Sequence, residues 1–462
     1  SDTVVVTVNP KPTVSIPTAG GNVCANSVIP VTSSGSASTF TWTSSVANTL
    51  FTDATGTTPY VAGTNAASIF VKTPATATIT LTGTNLPGGC TETATVTFTI
   101  STKTYNVGFW SPGGPPLNNG TENLVFNSGT FTSTGNLSAC SCSVTGATVT
   151  MASGHTLSLV NGLTVSSGSM TFESGASLLQ TNPVANTGNI TYKRDSTPCF
   201  RYDYTYWSSP VASQTLIGLS PNTSSTGFFQ YNPATSSWQQ SNNTLPMTLG
   251  RGYLIRVPSN FPVSPALPQN FTARFTGVPN NGTLPLTIVH NPPAALNLIG
   301  NPYPSAINAV SLVTDPGFNV NGNFLGGTIY LWSHNTNFNL ATNQYEYNDY
   351  AIWNILGGVN TYYNGTLGAG NTNAPNGNIA AGQGFFIKTV ASGTAYFRNS
   401  MRTGGTTNTN NNFYRSASTA SSVDDDPTAA YEKHRIWLDI SNNGNGYKQL
   451  LVGYIQDGTD GL

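Results

Sequence analysis

The chain has 462 residues; Lys and Arg total 16 and Asp and Glu 17, so charged residues make up 7% and the net charge is −1. A typical soluble protein is about a quarter charged, and so neutral a chain lacks the basic stripe that nucleic acid demands. No apolar run reaches the ~20 residues that span a bilayer. The 47 Gly and 29 Pro interrupt helices throughout, while 20 Tyr, 21 Phe and 7 Trp are enough to build cores. This is an all-β, extracellular composition spread over several domains.

Residues 1–9, SDTVVVTVN, alternate β-branched and polar residues with the period of a strand. Followed by Asn9-Pro10-Lys11-Pro12, they read as the last strand of a preceding module, as a strand donated between chains, or as an ordinary first strand. Residues 10–101 hold short strands (TFTWT, SIFVKT, TITLTGT, TVTFTI) between turn clusters, the pattern of an immunoglobulin-like sandwich. Cys24, Trp42 and Cys90 follow the Cys…Trp…Cys order of such domains, and a Cys24–Cys90 bridge at one end of the sandwich is expected.

Residues 102–198 change texture. Gly146, Gly154, Gly162, Gly168 and Gly175 punctuate short strands at near-regular spacing, which suits a few rungs of β-helix or a small stacked sandwich. Leu157, Leu159, Leu163, Val165, Met170 and Phe172 form the expected interior stack. Residues 199–412 are the most aromatic block and read as a large antiparallel β-sandwich, jelly-roll-like. Residues 413–433 have linker composition, and 434–462 begin a further β module.

Five cysteines leave at least one outside any intrachain bridge. Cys140 and Cys142 lie two apart, so a bond between them would strain an extended strand and is feasible only at a bend or bulge, and Cys199 is expected as a buried thiol. No cofactor motif, phosphate loop or metal-ligand spacing occurs, and His155, His290, His334 and His434 are scattered through separate segments. Asp203 and Asp349 sit inside Tyr-rich strands; they read as hydrogen-bond acceptors in a sandwich rather than as a glycosidase pair. Asp424, Asp425 and Asp426 lack the spacing of a calcium loop. Tyr345, Tyr347, Tyr350, Trp353, Tyr362 and Tyr363 cluster among Asn and Gly, either as a glycan-stacking platform or as the filling of a core face. No enzymatic constellation emerges.

Four motifs carry a resemblance: YDYTYWSSP at 202–210, LIGNPYPS at 298–305, GQGFF at 382–386 and NSMR at 399–402. Together they resemble the region preceding the C-terminal sorting module of Bacteroidota type IX secretion cargo, including gliding-motility adhesins. The resemblance implies export by the type IX machinery and display or release at the cell surface, and it implies no ligand. Together with the low charge and tandem β-modules it points to an adhesin or extracellular structural element, and the strand at 1–9 to a filament subunit. The alternative is a carbohydrate-binding region of a larger enzyme, with surface glycans or like subunits as candidate partners. Asp2-Thr3-Val4 and Asp195-Ser196-Thr197 match the short O-glycosylation sequon of that phylum, making Thr3 and Ser196 candidate acceptors.

Overall fold

Alternation of threonine with apolar residues builds the first sandwich. In strand Ala77–Asn85, Ala77, Ile79 and Leu81 are buried while Thr78, Thr80, Thr82 and Thr84 face outward. The neighbouring strands Thr39–Ser44 and Cys90–Thr99 repeat the pattern, and the register sets Thr41 beside Thr82 and Thr82 beside Thr93. One face is therefore hydroxyl and methyl, the other a core of Trp42, Val31, Ile69, Val71, Ile79 and Phe98. β-Branched Thr suits an exposed pleated surface without supplying charge, which is how the chain keeps its charge so low.

The computed structural model describes residues 10–263, 266–316, 327–332, 350–359 and 374–404, together with the backbone of 433–441 and 447–455. About half of the chain is strand and 4% helix, so the protein is all-β. It divides into two compact units, Ser1–Asn127 with Ser138–Ser143, and Ser128–Leu137 with Val144–Leu462. The division differs from the sequence-based boundaries at 101 and 198. Residues 102–127 group with the first sandwich, and the Gly-punctuated strands group with the aromatic block.

In the first unit, one sheet runs Thr39–Ser44, Ala77–Asn85, Cys90–Thr99 and, parallel to the last, Gly21–Asn22. The facing sheet holds Val28–Thr32, Ser68–Lys72 and Leu50–Phe51. This is the strand order of an immunoglobulin-like sandwich. Trp42 is 1% exposed, and its indole donates to Ala66 O at 2.8 Å. Beyond the sandwich, Ser101–Asn106 and Phe109–Ser111 pair as a hairpin whose Tyr105 and Trp110 pack on Phe126.

The second unit opens as a β-solenoid. Thr130 lies parallel beside Thr148, Thr156 beside Ser177 and Thr171 beside Thr191, so one rung takes about 20 residues. The β-helix reading of these strands is correct, and the stacked-sandwich alternative is not. Leu157, Leu159, Leu163, Met170 and Phe172 are buried inside it, as expected. Val165, expected with them, is only half-buried. Gly168 has φ +79°, and a Cβ there would fall 2.2 Å from Ala147 O, so neighbouring turns approach only because it is glycine.

The solenoid does not end at a linker. Its strand Ile190–Cys199 pairs antiparallel with Gln269–Gly277 from within the aromatic block, which makes the two regions one unit. The rest of that block is antiparallel. Tyr204–Trp207, Tyr253–Arg256, Phe228–Asn232 and Ser237–Gln240 form one sheet. Leu296–Gly300, Gly384–Lys388, Ile329–Trp332, Tyr350–Asn354 and Gly357–Val359 form another. Among the described residues, no helix is long and apolar enough to cross a membrane.

The disulfide corrects the sequence reading. Cys24 bonds to Cys140, with Cα atoms 5.2 Å apart, and not to Cys90. Gly21–Asn22 pairs with Phe98 and Thr99, at the far end of the ten-residue strand that Cys90 begins. At about 3.4 Å per residue this separates Cys90 from Cys24 by roughly 30 Å, far beyond bridging distance. Cys90, Cys142 and Cys199 lie outside the disulfide; the last two are buried, and burial pushes the Cys142 thiol up to about 12. Cys199 Sγ donates to Gln269 O at 3.3 Å.

Two measurements test this description. Non-reducing peptide mapping finds Cys24 joined to Cys140, and native labelling modifies Cys90 well before Cys142 or Cys199; a Cys24–Cys90 peptide contradicts it. On the chain-entropy account the bridge, with a sequence separation of 116, contributes roughly 5 kcal/mol. The second concerns Asp53, whose carboxylate accepts the backbone N–H of Thr55, Thr57 and Thr58 and the hydroxyls of Thr55 and Thr57. These donors, led by the Thr55 hydroxyl, hold its carboxyl well below the usual carboxylate range. The stabilisation is thus complete above the unfolded value of about 3.9 and is lost as the pH falls toward the folded one. Asp53→Asn is expected to melt below the parent at pH 7, with the gap narrowing from about pH 4 downward; a gap independent of pH refutes the turn as its source.

Candidate functional site

Three of the four sequence motifs meet at one place, and the fourth reaches them through Arg402, which donates to Ser305 Oγ. Tyr204–Trp207 pairs with Tyr253–Arg256, and Leu296–Gly300 pairs with Gly384–Lys388. Antiparallel bridges then join Trp207 to Gln383 and Arg251 to Ile299, so the four strands close into a ring. Three backbone hydrogen bonds seal it, Ser208 N to Gly382 O (2.9 Å), Gly252 N to Leu298 O (3.1 Å) and Gly300 N to Gly250 O (2.9 Å), while Asn301 N to Gln383 O (3.0 Å) extends the ladder between two of its strands. A Cβ on Gly300 would fall 2.2 Å from the Ser208 Cβ, so the strands approach this closely only with glycine at that position.

Period-two alternation then sends motif side chains to two different cores. Tyr206, Leu298 and Phe386 point to one side, where they pack with Tyr231. Ile299 and Phe385 point to the other, into a core with Leu312, Ile329, Leu331 and Phe397. Trp207 packs on Phe271 and Phe275 of the strand that extends the solenoid. The aromatic motifs are thus explained by sheets buried on both faces.

The polar motif residues serve the backbone. Buried Asn301 donates its amide to the carbonyls of Ser305, Ile379 and Ala380 and accepts from Tyr303 N. The Tyr303 hydroxyl donates to Gly282 O at 2.6 Å, and burial raises its pKa. The Arg402 guanidinium lies 4.8 Å over the Tyr303 ring and donates to Ser305 Oγ, Asn281 Oδ1, Asn399 Oδ1 and the solenoid carbonyl of Leu178. Desolvation lowers its pKa to about 10, which leaves it cationic at neutral pH. Every one of these groups is satisfied by the chain itself, as buried polar groups must be.

The other candidates disperse. Tyr350 and Trp353 occupy opposite faces of one strand, because an odd spacing reverses the side in a strand. Trp353 is 5% exposed within the core that holds Ile329 and Ile387, so it is not available for stacking. Tyr350 is half-buried beside Trp332 and Tyr206. Tyr345, Tyr347, Tyr362 and Tyr363 lie outside the described residues, as do Thr3, Asp349, His334 and Asp424–Asp426. Ser196 is 4% exposed, and its hydroxyl donates to Thr197 O while accepting Phe271 N, so it is no glycan acceptor in the folded protein.

Asp203 is buried, and its carboxylate accepts Phe200 N at 2.8 Å as a turn cap. His155 Nδ1 meets Ser133 Oγ, and His290 Nδ1 meets Thr389 O. Among the described residues, no three His, Cys, Asp or Glu side chains converge on a point that could hold a metal. Sequence reasoning missed a surface stack in which Arg201 and Arg256 alternate with Tyr202 and Tyr204. The alternation in Tyr253–Arg256, which buries Tyr253 and Ile255 and turns Arg256 outward, was the available signal.

The ring makes a direct prediction. Gly300→Ala is expected to cost about 2–3 kcal/mol or to prevent folding, as overpacking of a close strand crossing does. Gly135→Ala, whose Cβ would meet nothing within 4 Å, is the matched control and leaves the melting temperature within a degree or so. Equal stability of the two variants would show that the crossing is loose.

No curated protein matches the sequence. One family does match: a domain of unknown function, DUF8693, aligns with residues 95–462. The match takes in the solenoid, the ring and all four motifs over well more than half of the chain, and the protein is therefore a member of the DUF8693 family.

Proposed function

We propose that the chain is a secreted, cell-surface β-protein that works as an adhesin or extracellular structural element and leaves the cell by the type IX system. The observation that carries this reading is the motif junction. Asn301, Tyr303 and Arg402 spend their polar atoms on the chain's own backbone and side chains, so the motifs define a scaffold for display. The Cys24–Cys140 disulfide supports an oxidising destination, since such bonds persist outside the cytosol. The export route rests on the motif resemblance, and the low charge and threonine-faced sheets suit an extracellular surface.

Surface proteolysis of intact cells tests the proposal. The chain, expressed from its own gene with an epitope tag, is expected to be cleaved by added protease. Inactivating the type IX machinery should move it to the periplasm and protect it. Protection in unmodified cells, or unchanged exposure without that machinery, would contradict the reading.

A further inference from the structure

We infer that the stack of Arg201, Tyr202, Arg256, Tyr204 and Phe229 is a binding strip for an acidic polysaccharide, one whose sugar rings carry carboxylates. The inference gives a ligand class to the surface protein proposed above and rests on that reading. Arg256 lies 4.7 Å over the Tyr202 ring and 6.0 Å over that of Tyr204, while Arg201 lies 5.7 Å from Tyr202. The Tyr204 ring continues edge-on to Phe229 at 6.2 Å. Cations and rings therefore alternate across three neighbouring strands of the sheet, held in register by the pairing of Tyr204 with Arg256.

Charge selects the ligand. Several cations elsewhere are engaged, Arg398 by Asp315, Lys193 by Glu173 and Arg402 by its acceptors, while among the described residues the exposed Arg274 and Lys388 stand apart from any ring stack. Among the described residues, no carboxylate lies within 4 Å of the Arg201 or Arg256 guanidinium. The nearest acid in sequence, Asp203, is turned inward and 3% exposed, so it does not offset them at the surface. Arg201 is exposed, and Tyr202, Tyr204, Phe229 and Arg256 are half-buried, their rings fixed but reachable. Planar guanidinium groups match carboxylates through paired hydrogen bonds, and rigid aromatic rings present flat apolar area at low entropic cost. A polymer offering both features in alternation is a polyuronate.

The experiment uses the full chain with polygalacturonate as probe, followed by titration calorimetry and affinity electrophoresis. Binding is expected, weakened by salt, and lost when the carboxylates are methyl-esterified. Arg201→Gln, at an exposed side chain, should weaken it about tenfold, and Arg256→Gln at least as much, with Arg256→Lys restoring part. Melting temperatures identify any variant that loses binding through unfolding. No binding, equal binding of the methyl ester or of dextran sulfate, or indifference to Arg201→Gln in a folded chain would each overturn the inference. Because purified protein is used, these results stand apart from the localisation test: a chain that is surface-exposed yet indifferent to polyuronate defeats only the ligand assignment.

Discussion

Four strands drawn from distant parts of the sequence close on one another where Trp207 meets Gln383 and Arg251 meets Ile299, and the second unit is organised around that closure. It admits no side chain at Gly300 and seals its edges with main-chain hydrogen bonds. Once the ring is closed, alternation leaves no freedom. Tyr206, Leu298 and Phe386 must fill one side, and Ile299 and Phe385 the other. Asn301 and Arg402 then fix the loops that leave it, and Arg402 reaches the solenoid at Leu178. The motifs at 202–210, 298–305 and 382–386 are, physically, parts of this closure.

Low charge and the β-architecture support each other. With few ion pairs available, the chain satisfies many of its buried polar groups through amides and hydroxyls: Asn186 with Gln180, Asn297 with Val289, Asn301 with three carbonyls. Surface ion pairs stabilise little in any case, so their scarcity costs little. What the chain gives up in charge it replaces with threonine-faced strands and stacked rungs. Against that background, Arg201 and Arg256, both stacked on the Tyr202 ring and without a carboxylate among the described residues, stand out as a feature the fold does not require.

Much of this was legible in the sequence because period two is a local property. The Thr/apolar alternation of Ala77–Asn85 and Cys90–Thr99 declares both strand and face, and the spaced glycines of 146–175 declare short stacked strands. Properties that depend on which strand ends meet were not legible. The Cys24–Cys140 bond follows from Gly21–Asn22 running parallel to the end of the strand that Cys90 begins, a pairing no spacing encodes. The division at 198 failed because Ile190–Cys199 finds its partner 70 residues onward, at Gln269. Tyr350 and Trp353 looked like one platform when only composition was considered, yet their odd spacing already placed them on opposite faces. Ser196 matched a sequon, but its burial beneath Phe271 is a tertiary fact.

Hydrogen exchange on the native protein tests the ring most directly. The amides of Ser208, Gly252 and Gly300 all lie at or beyond strand ends, where loop amides ordinarily exchange through local opening. Because each donates across the closure, they are expected to exchange only with global unfolding, as slowly as the amides of Phe385 and Ile299 in the strands themselves. Fast exchange at these three positions, with protection retained in the neighbouring strands, would mean that the sheets merely abut and that the ring does not hold the unit together.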